Sequence, residues 1–209
     1  KQLIFAQLFQ VDGYDFLSHL VIGFALFTFV STVIPGGAGL FNANRTWILS
    51  SNLPYTLYVN KLILQSFIEL GLLTISATIL LLLWGDLHPS ALWTIPPALL
   101  LYYLSAYGTC LLLAPIGARV RDSVYAIQTV MRMLFFATPI VWLPTPGTLR
   151  AEIARWNPFT YYLDIIRMPL MNGDVSTQSW LIVTGITGLL LIAGFVAFTI
   201  ARKKVAYWI

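Results

Sequence analysis

Five long apolar runs constrain this chain more than any other feature of its sequence. Each holds about 20 mainly apolar residues, the length that crosses the hydrocarbon core of a bilayer as a helix. The runs are residues 17–34, 62–84, 91–115, 123–143 and 180–200. Only 10% of the residues are charged, against about 25% in soluble domains, so a soluble fold would lack polar surface. The runs are apolar on all sides and show no barrel-type alternation, so the sequence predicts an all-α polytopic membrane protein.

Basic residues in the short connections indicate how the spans are oriented. One side of the predicted bundle carries Arg45, Lys61, Arg119, Arg121, Arg202, Lys203 and Lys204. Lysine and arginine mark the cytoplasmic side, which places the carboxyl terminus inside the cell. The opposite side carries mostly carboxylates. An apolar stub, Leu3–Phe9, predicts the tail of an additional first span that is mostly absent from this sequence.

The sequence holds no pattern for nucleotide hydrolysis, metal binding or nucleophilic catalysis. The glycine-rich run at 35–39 is not followed by Lys-Ser or Lys-Thr, so it lacks the phosphate-binding lysine and is interpreted as the flexible exit of a span. His19 and His88 are interpreted as isolated polar residues near the external face, and Cys110 as a packing residue. The basic residues are too scattered for nucleic acid. We therefore expect no cofactor on this chain.

The predicted cytoplasmic segment 40–60 is long for a simple loop. Asn44 is a candidate N-cap for a short helix containing Trp47, Ile48 and Leu49. Its apolar residues lie beside polar ones, as on an interfacial helix. Two interpretations remain open, a helix resting on the membrane and a helix docking into a soluble partner.

The predicted external segment 144–172 is typical of a hairpin of two short helices. Thr148 is a candidate cap for the first, and Asn157 followed by Pro158 is a strong start for the second. The first helix has an apolar face of Leu149, Ile153 and Trp156. The second has an apolar face of Phe159, Tyr162, Leu163 and Ile166, with Asp164 and Arg167 on its polar side. The pattern predicts a hairpin that dips into the outer membrane surface, and this hairpin is either a passive lid or an external gate.

Two charges fall within the predicted spans. Glu69 and Arg132 lie at similar depths, about 12 Å and 15 Å from the cytoplasmic side at 1.5 Å per residue. Charges at such depths are costly and are usually paired or face a pore. We predict a buried Glu69–Arg132 pair, with substrate contact as the alternative.

Aromatic residues supply the remaining candidates. Several lie deep within spans rather than at the interfaces, namely Phe24, Phe27, Phe29, Phe135 and Phe136. Aromatic faces can pack against sugar rings, and they serve equally well in a core or against lipid. Of these five, Phe24, Phe27, Phe135 and Phe136 are the candidate channel residues.

Two stretches resemble the type-2 ABC exporter permeases. "RVRDSVYAIQTVMRMLFFATPIVW", residues 119–142, resembles the Arg-Asp … Phe-Phe … Thr-Pro-Ile pattern that opens the family's fifth span, with Arg121 and Asp122 in its cytoplasmic motif. "WNPFTYYLDIIRMPL", residues 156–170, resembles the external Asn-Pro … Arg motif before the sixth span. The likeness is greatest to the subgroup that exports O-antigen, capsular polysaccharide and teichoic acid. The family's amino-terminal interfacial helix and most of its first span are not in this sequence.

The resemblance implies a six-span transmembrane domain in the bacterial inner membrane and a permease rather than an enzyme. It implies a homodimer with two cytoplasmic ATP-binding subunits, which carry the ATP and Mg, around a channel for a lipid-linked glycan. It assigns energy coupling to the segment 40–60, and within it to Arg45, Trp47, Ile48 and Leu49. It assigns the external gate to 144–172, and within it to Trp156, Asn157, Pro158, Phe159, Tyr162 and Arg167.

Two other functions remain open from the sequence. One is an ABC permease of the same fold that exports small lipophilic compounds or drugs. The other is an intramembrane transferase, for which Glu69 and Arg132 are the only membrane-depth groups available.

Overall fold

The computed structural model describes residues 13–51, 53–84, 89–144 and 147–209, and the regular elements within them are helical. The helices are α1 Gly13–Ala43, α2 Arg45–Ser50, α3 Tyr55–Trp84, α4 Ile95–Arg119, α5 Ser123–Ala137, α6 Leu149–Trp156, α7 Pro158–Met171, α8 Thr177–Ala201 and α9 Val205–Trp208, with a 3₁₀ helix, Pro89–Thr94, leading into α4. Four segments are long and apolar enough to cross a membrane: Phe16–Ala43, Tyr55–Ile79, Leu92–Arg119 and Thr177–Ala201. The chain is a helical multi-pass membrane protein.

Helix α1 lies at the centre of the bundle. It packs along α4, against α3 on one side and α5 on another, while α4 also packs along α8. Helices α1 and α5 are antiparallel, because Gly39 lies beside Val124 and Phe27 lies beside Phe135. The bundle therefore has two ends. The short helix α2 lies at one, called the α2 end, and the α6–α7 hairpin lies at the other, called the hairpin end.

Small residues set the closest helix crossings. A Cβ atom added at Gly117 would collide with the Ala38 carbonyl oxygen of α1. One added at Gly108 would lie 2.7 Å from the Leu190 carbonyl carbon of α8, and Gly194 faces the Gly108 carbonyl in turn. Without a hydrophobic driving force in lipid, such close backbone approach is a main source of helix association. The α1–α4–α8 layer thus depends on glycine at its crossings.

The structure corrects the interpretation of residues 35–39 as a flexible span exit. Helix α1 continues through Pro35 to Ala43. In that stretch Gly37 packs against Cys110 and Ala38 against Gly117, so the small residues serve helix packing instead. The connecting segment is correspondingly shorter than 40–60, because its first residues belong to α1 and its last to α3.

The predicted span 123–143 is helical only over its first part. Helix α5 has 15 residues, about 22 Å at 1.5 Å per residue, which is shorter than a hydrocarbon core of about 30 Å. Pro139 disfavours helical backbone at Thr138, which is extended with φ −92° and ψ 140°. The other predicted spans are present as longer helices. Leu3–Phe9, the predicted tail of an additional span before these five, lies outside the described residues, and so does His88.

Candidate functional site

The carboxyl end of α5 lies inside the bundle, where its carbonyl groups need partners. Thr138, Pro139 and Ile140 are all buried, and the Thr138 hydroxyl donates back to the Leu134 carbonyl at 2.7 Å. The last carbonyls of a helix have no partner within the helix. Non-helical backbone at membrane depth is tolerated only where protein or water satisfies it. Side chains from the hairpin and from α1 meet that requirement here.

Asn157 joins the hairpin to α5. Its Nδ2 donates to the Ala137 carbonyl at 3.2 Å and to the Thr138 hydroxyl at 2.9 Å. Its Oδ1 accepts a bond of 3.0 Å from the Phe159 backbone N–H, which caps α7. The predicted N-cap is therefore confirmed, and the same side chain also terminates the neighbouring helix. One amide fixes where α7 begins relative to where α5 ends.

Arg167 provides a partner for a carbonyl just beyond the carboxyl end of α5. Its Nη1 donates to the Pro139 carbonyl at 2.9 Å. His19 Nε2 lies 3.0 Å from the same oxygen and 3.1 Å from Arg167 Nη1, so its tautomer decides which of them it bonds. A guanidinium beside a helix carboxyl end also favours the helix dipole. His19 is buried in this cluster, which corrects its interpretation as an isolated interface residue.

The charge of Arg167 is balanced within α7. Its Nη2 lies 2.7 Å from Asp164 Oδ1, and the two side chains are only 8% and 18% exposed. Burial raises the pKa of the Asp164 carboxyl, and the neighbouring guanidinium opposes that rise. The sequence predicts these two residues on the polar side of the helix, opposite its apolar face. The structure turns that side inward, because the unsatisfied carbonyls of the α5 end lie there.

A hydroxyl cluster holds the other side of α7. The Ser105 hydroxyl lies 2.7 Å from both the Tyr162 and the Thr187 hydroxyls. The Tyr102 hydroxyl donates to the Tyr162 carbonyl at 2.9 Å. Helix α7 is thus bonded to α4, to α8 and to the α5 end at once. The hairpin's second helix is a built part of the bundle, and the predicted apolar residues Leu163 and Ile166 are buried in it.

The first hairpin helix is different, because no residue in the described part of the chain covers its apolar face. Leu149, Ile153 and Trp156 are 74%, 42% and 86% exposed. At the hairpin end, α7 therefore has a buried apolar surface and α6 has an exposed one.

The predicted channel aromatics separate into two groups. Phe27 is buried between Phe135 and Phe159, at ring-centroid distances of 5.4 and 6.3 Å. Phe24 and Phe136 are 48% and 73% exposed. Phe27 is therefore a core residue that links α1 to α5 and α7. Phe135 is half-buried beside it, and Phe24 and Phe136 remain on an open face.

Glu69 and Arg132 are not brought together. Both side chains are exposed, and no ion pair joins them within the described residues. Their depths match, but α1 lies between α3 and α5. The predicted pair is therefore not formed within one chain, and the buried ion pair in the described bundle is Asp164–Arg167.

The α2 end carries the residues predicted for energy coupling. Helix α2 has no buried residue, Arg45 is exposed, and Trp47 and Leu49 are 64% and 56% exposed. Only Ile48 packs against the core.

Two further details concern the residues around this end. Asn44 precedes α2 but does not cap it, since its Nδ2 donates back to the Leu40 carbonyl at 2.8 Å. Arg121 and Asp122 are exposed in the turn between α4 and α5, and neighbouring Arg119 lies over the Trp208 ring at 5.9 Å.

A cavity of about 300 Å³ lies on the face of α4, between α1 and α8 and against α7. Its lining is mainly aliphatic and aromatic, and includes Phe29, Val33, Ala106, Leu113, Phe159 and Ile186. Sequence reasoning did not identify this cavity, because its lining comes from four separate helices.

No protein-family model matches the chain, and a comparison with curated proteins finds no significant match.

Proposed function

We propose that this chain is the membrane-spanning subunit of a type-2 ABC exporter in the bacterial inner membrane. Two copies enclose a polar path for a lipid-linked polysaccharide such as an O-antigen, a capsular polysaccharide or a teichoic acid. The observation that carries the proposal is a stripe on α5. Tyr125, Thr129, Arg132 and Phe136 follow one another at i, i+4, i+7 and i+11, and all four are exposed.

The stripe cannot face lipid at low cost. An arginine at the centre of a membrane costs about 2.5–3.5 kcal/mol on insertion scales, and such residues normally face a bundle interior or a water-filled cavity. Among the residues that the structure describes, none covers Arg132, which is exposed. A second copy placed against α5 would enclose the stripe and provide a polar path between the two chains.

Exposed rings beside Arg132 support a glycan as the cargo. Tyr125 and Phe136 are 70% and 73% exposed, and Phe24 on α1 lies next to α5 through its 6.3 Å contact with Phe135. Aromatic faces separated along a path offer successive apolar surfaces to sugar rings, while the arginine and threonine offer hydrogen bonds.

The two ends of the bundle support the same proposal. At the α2 end, Trp47 and Leu49 form an exposed apolar surface on a short helix, which suits the groove of an ATP-binding subunit. At the hairpin end, α7 closes over the end of α5 through Asn157 and Arg167. A movement of α5 during the transport cycle would reach the hairpin through these bonds.

The apolar cavity favours one alternative, an ABC permease of the same fold that exports small lipophilic compounds. Its lining suits a lipophilic molecule better than a sugar chain. The two functions differ in which substrate accelerates ATP hydrolysis. An intramembrane transferase differs from both, because it would form product without an ATP-binding subunit.

The test uses this chain co-expressed with any ATP-binding subunit that a reading frame next to its gene proves to encode. The complex is placed in nanodiscs, and ATP hydrolysis is measured with a lipid-linked glycan, the same glycan without its lipid, and a lipophilic dye. The proposal expects that, of the three, only the lipid-linked glycan accelerates ATP hydrolysis. Stimulation by the dye alone would support the alternative, and failure to form any complex with an ATP-binding subunit would contradict both.

A further inference from the structure

We propose that the cavity between α1, α4, α7 and α8 is a binding site for one acyl chain of a membrane phospholipid. The site is separate from the stripe on α5, and the inference does not depend on what the protein exports. It starts from the polar atoms of the cavity wall, which decide whether water, a sugar or a hydrocarbon can occupy the space.

Every hydroxyl in the cavity wall has a partner within the protein. The Ser105 hydroxyl bonds the Tyr162 hydroxyl and Thr187, which lies outside the wall. Thr109 donates to the Ser105 carbonyl at 2.7 Å, and Tyr102 donates to the Tyr162 carbonyl. Water in a cavity needs two to four polar partners, and a sugar needs more. The wall therefore presents a hydrocarbon surface to its contents.

The dimensions of the cavity fit a single lipid chain. Its lining on α4 runs from Tyr102 to Leu113, a rise of about 16 Å at 1.5 Å per residue. That length is roughly half of a 30 Å hydrocarbon core, which is the depth of one leaflet. A volume of about 300 Å³ lies at the lower end of the range for small-molecule sites, roughly 300–1,000 Å³. A polyprenyl carrier is several times longer than one leaflet and would leave most of its length outside.

The location of the cavity also fits a phospholipid. Three of its four walls are membrane-length helices, so lipid is the surrounding solvent. The Leu113 side of the cavity lies towards Arg119, at the exposed carboxyl end of α4, where a guanidinium can meet a phosphate headgroup. An acyl chain held there would fill the space between α1 and α8. It would also pack against α7, whose Pro158, Phe159 and Tyr162 form the remaining wall.

The test is photo-crosslinking of the purified full chain in vesicles of phosphatidylethanolamine and phosphatidylglycerol. The probe is a phosphatidylethanolamine with a diazirine on one acyl chain, and labelled residues are found by peptide mass spectrometry. The proposal expects labels on the 102–113 stretch of α4. Ala106→Phe, which fills the cavity, should reduce those labels about tenfold, equivalent to about 1.4 kcal/mol of binding free energy.

Two controls keep the result interpretable. Gly185→Phe adds the same ring at an exposed position of α8 with no neighbour within 4 Å, and should leave the α4 labels unchanged. Ala106→Leu fills less of the cavity and should give an intermediate loss of the α4 labels. It replaces Ala106→Phe in the test if that variant does not fold.

Competition on the wild-type protein decides the ligand. Unlabelled phosphatidylethanolamine should displace the probe, and a polyprenyl phosphate should not. Displacement by the polyprenyl phosphate alone, or α4 labels that Ala106→Phe and Ala106→Leu leave unchanged, would overturn the proposal. Neither outcome depends on ATP hydrolysis, so the result is separate from that of the export assay.

Discussion

Arg167 of the hairpin donates a 2.9 Å hydrogen bond to the carbonyl oxygen of Pro139, which directly follows Thr138, the C-cap residue of α5. The bond matters because a helix that stops inside a membrane protein leaves carbonyls that water cannot reach. Asp164 balances the guanidinium, so the charge is accommodated inside the bundle.

The first prediction concerns that ion pair. Asp164→Asn leaves the buried guanidinium without its counter-charge. Arg167→Met leaves the Asp164 carboxylate without its partner and leaves His19 as the remaining side chain near the Pro139 carbonyl. Breaking a buried pair typically costs about 3–5 kcal/mol. Each variant should lower thermal stability in detergent, measured by size-exclusion chromatography after heating. Arg155→Met, an exposed arginine on α6, is the matched control and should behave as wild type. Equal stability of all three variants would show that the buried pair has no structural role.

The second prediction concerns Asn157. Asn157→Ala removes the cap of α7, worth about 1 kcal/mol, and also the bonds to Ala137 and Thr138. The hairpin should loosen from α5. Dye leakage from liposomes that contain the complex should rise, and basal ATP hydrolysis should depend less on substrate. Asn172→Ala, at the exposed carboxyl end of the same helix, is the control. Wild-type leakage in the Asn157 variant would favour the passive-lid interpretation.

These same residues show which contacts can be predicted from the sequence and which cannot. Asn157 as an N-cap was predictable because Asn-Pro is a local signal. The contact of Arg167 with His19 was not, because 148 residues separate them and no spacing rule joins them. The i, i+3 spacing predicts that Asp164 and Arg167 share the polar side of the helix, but it does not give the direction in which that side faces. Inside a bundle, the polar side of a helix faces whatever backbone lacks partners.

The positions of the helices along the chain are predictable from the sequence, whereas the neighbours of each helix are not. Hydrophobic length predicts where spans lie, and four of the five predicted spans are membrane-length helices. It gives depth along a helix but not rotation about its axis. For that reason Glu69 and Arg132 matched in depth while α1 separates them. The run at 35–39 looked flexible from its glycines, whereas contact with α4 keeps it helical.

The third prediction concerns the α4–α8 crossing. Gly108→Ala places a methyl group against the Leu190 backbone, which cannot move aside as a side chain would. Overpacking of this kind typically costs about 1–3 kcal/mol. Gly188→Ala on α8 adds the same methyl group in open space and should be neutral or slightly stabilising. Unfolding in increasing denaturing detergent compares the two, and an equal effect of both substitutions would rule out the crossing as the cause.

The fourth prediction concerns energy coupling at the α2 end. Trp47→Ala should reduce co-purification of the ATP-binding subunit, or uncouple ATP hydrolysis from export. The reason is that an exposed tryptophan that becomes buried against a partner is a frequent anchor of protein interfaces. Trp93→Ala is the control, since Trp93 is 72% exposed at the hairpin end. Normal assembly and normal export by the Trp47 variant would remove α2 from the coupling mechanism.

The central claim is that the α5 stripe lines a water-filled path. The most direct measurement is labelling of Arg132→Cys by a membrane-impermeant thiol reagent in vesicles that contain the assembled complex. Cys110 is fully buried, so the wild-type chain provides the blank. Leu189→Cys, on an exposed apolar face of α8, provides the lipid-facing control. The account predicts that Arg132→Cys is labelled and that Leu189→Cys is not. Labelling of Arg132→Cys no faster than that of Leu189→Cys would contradict it.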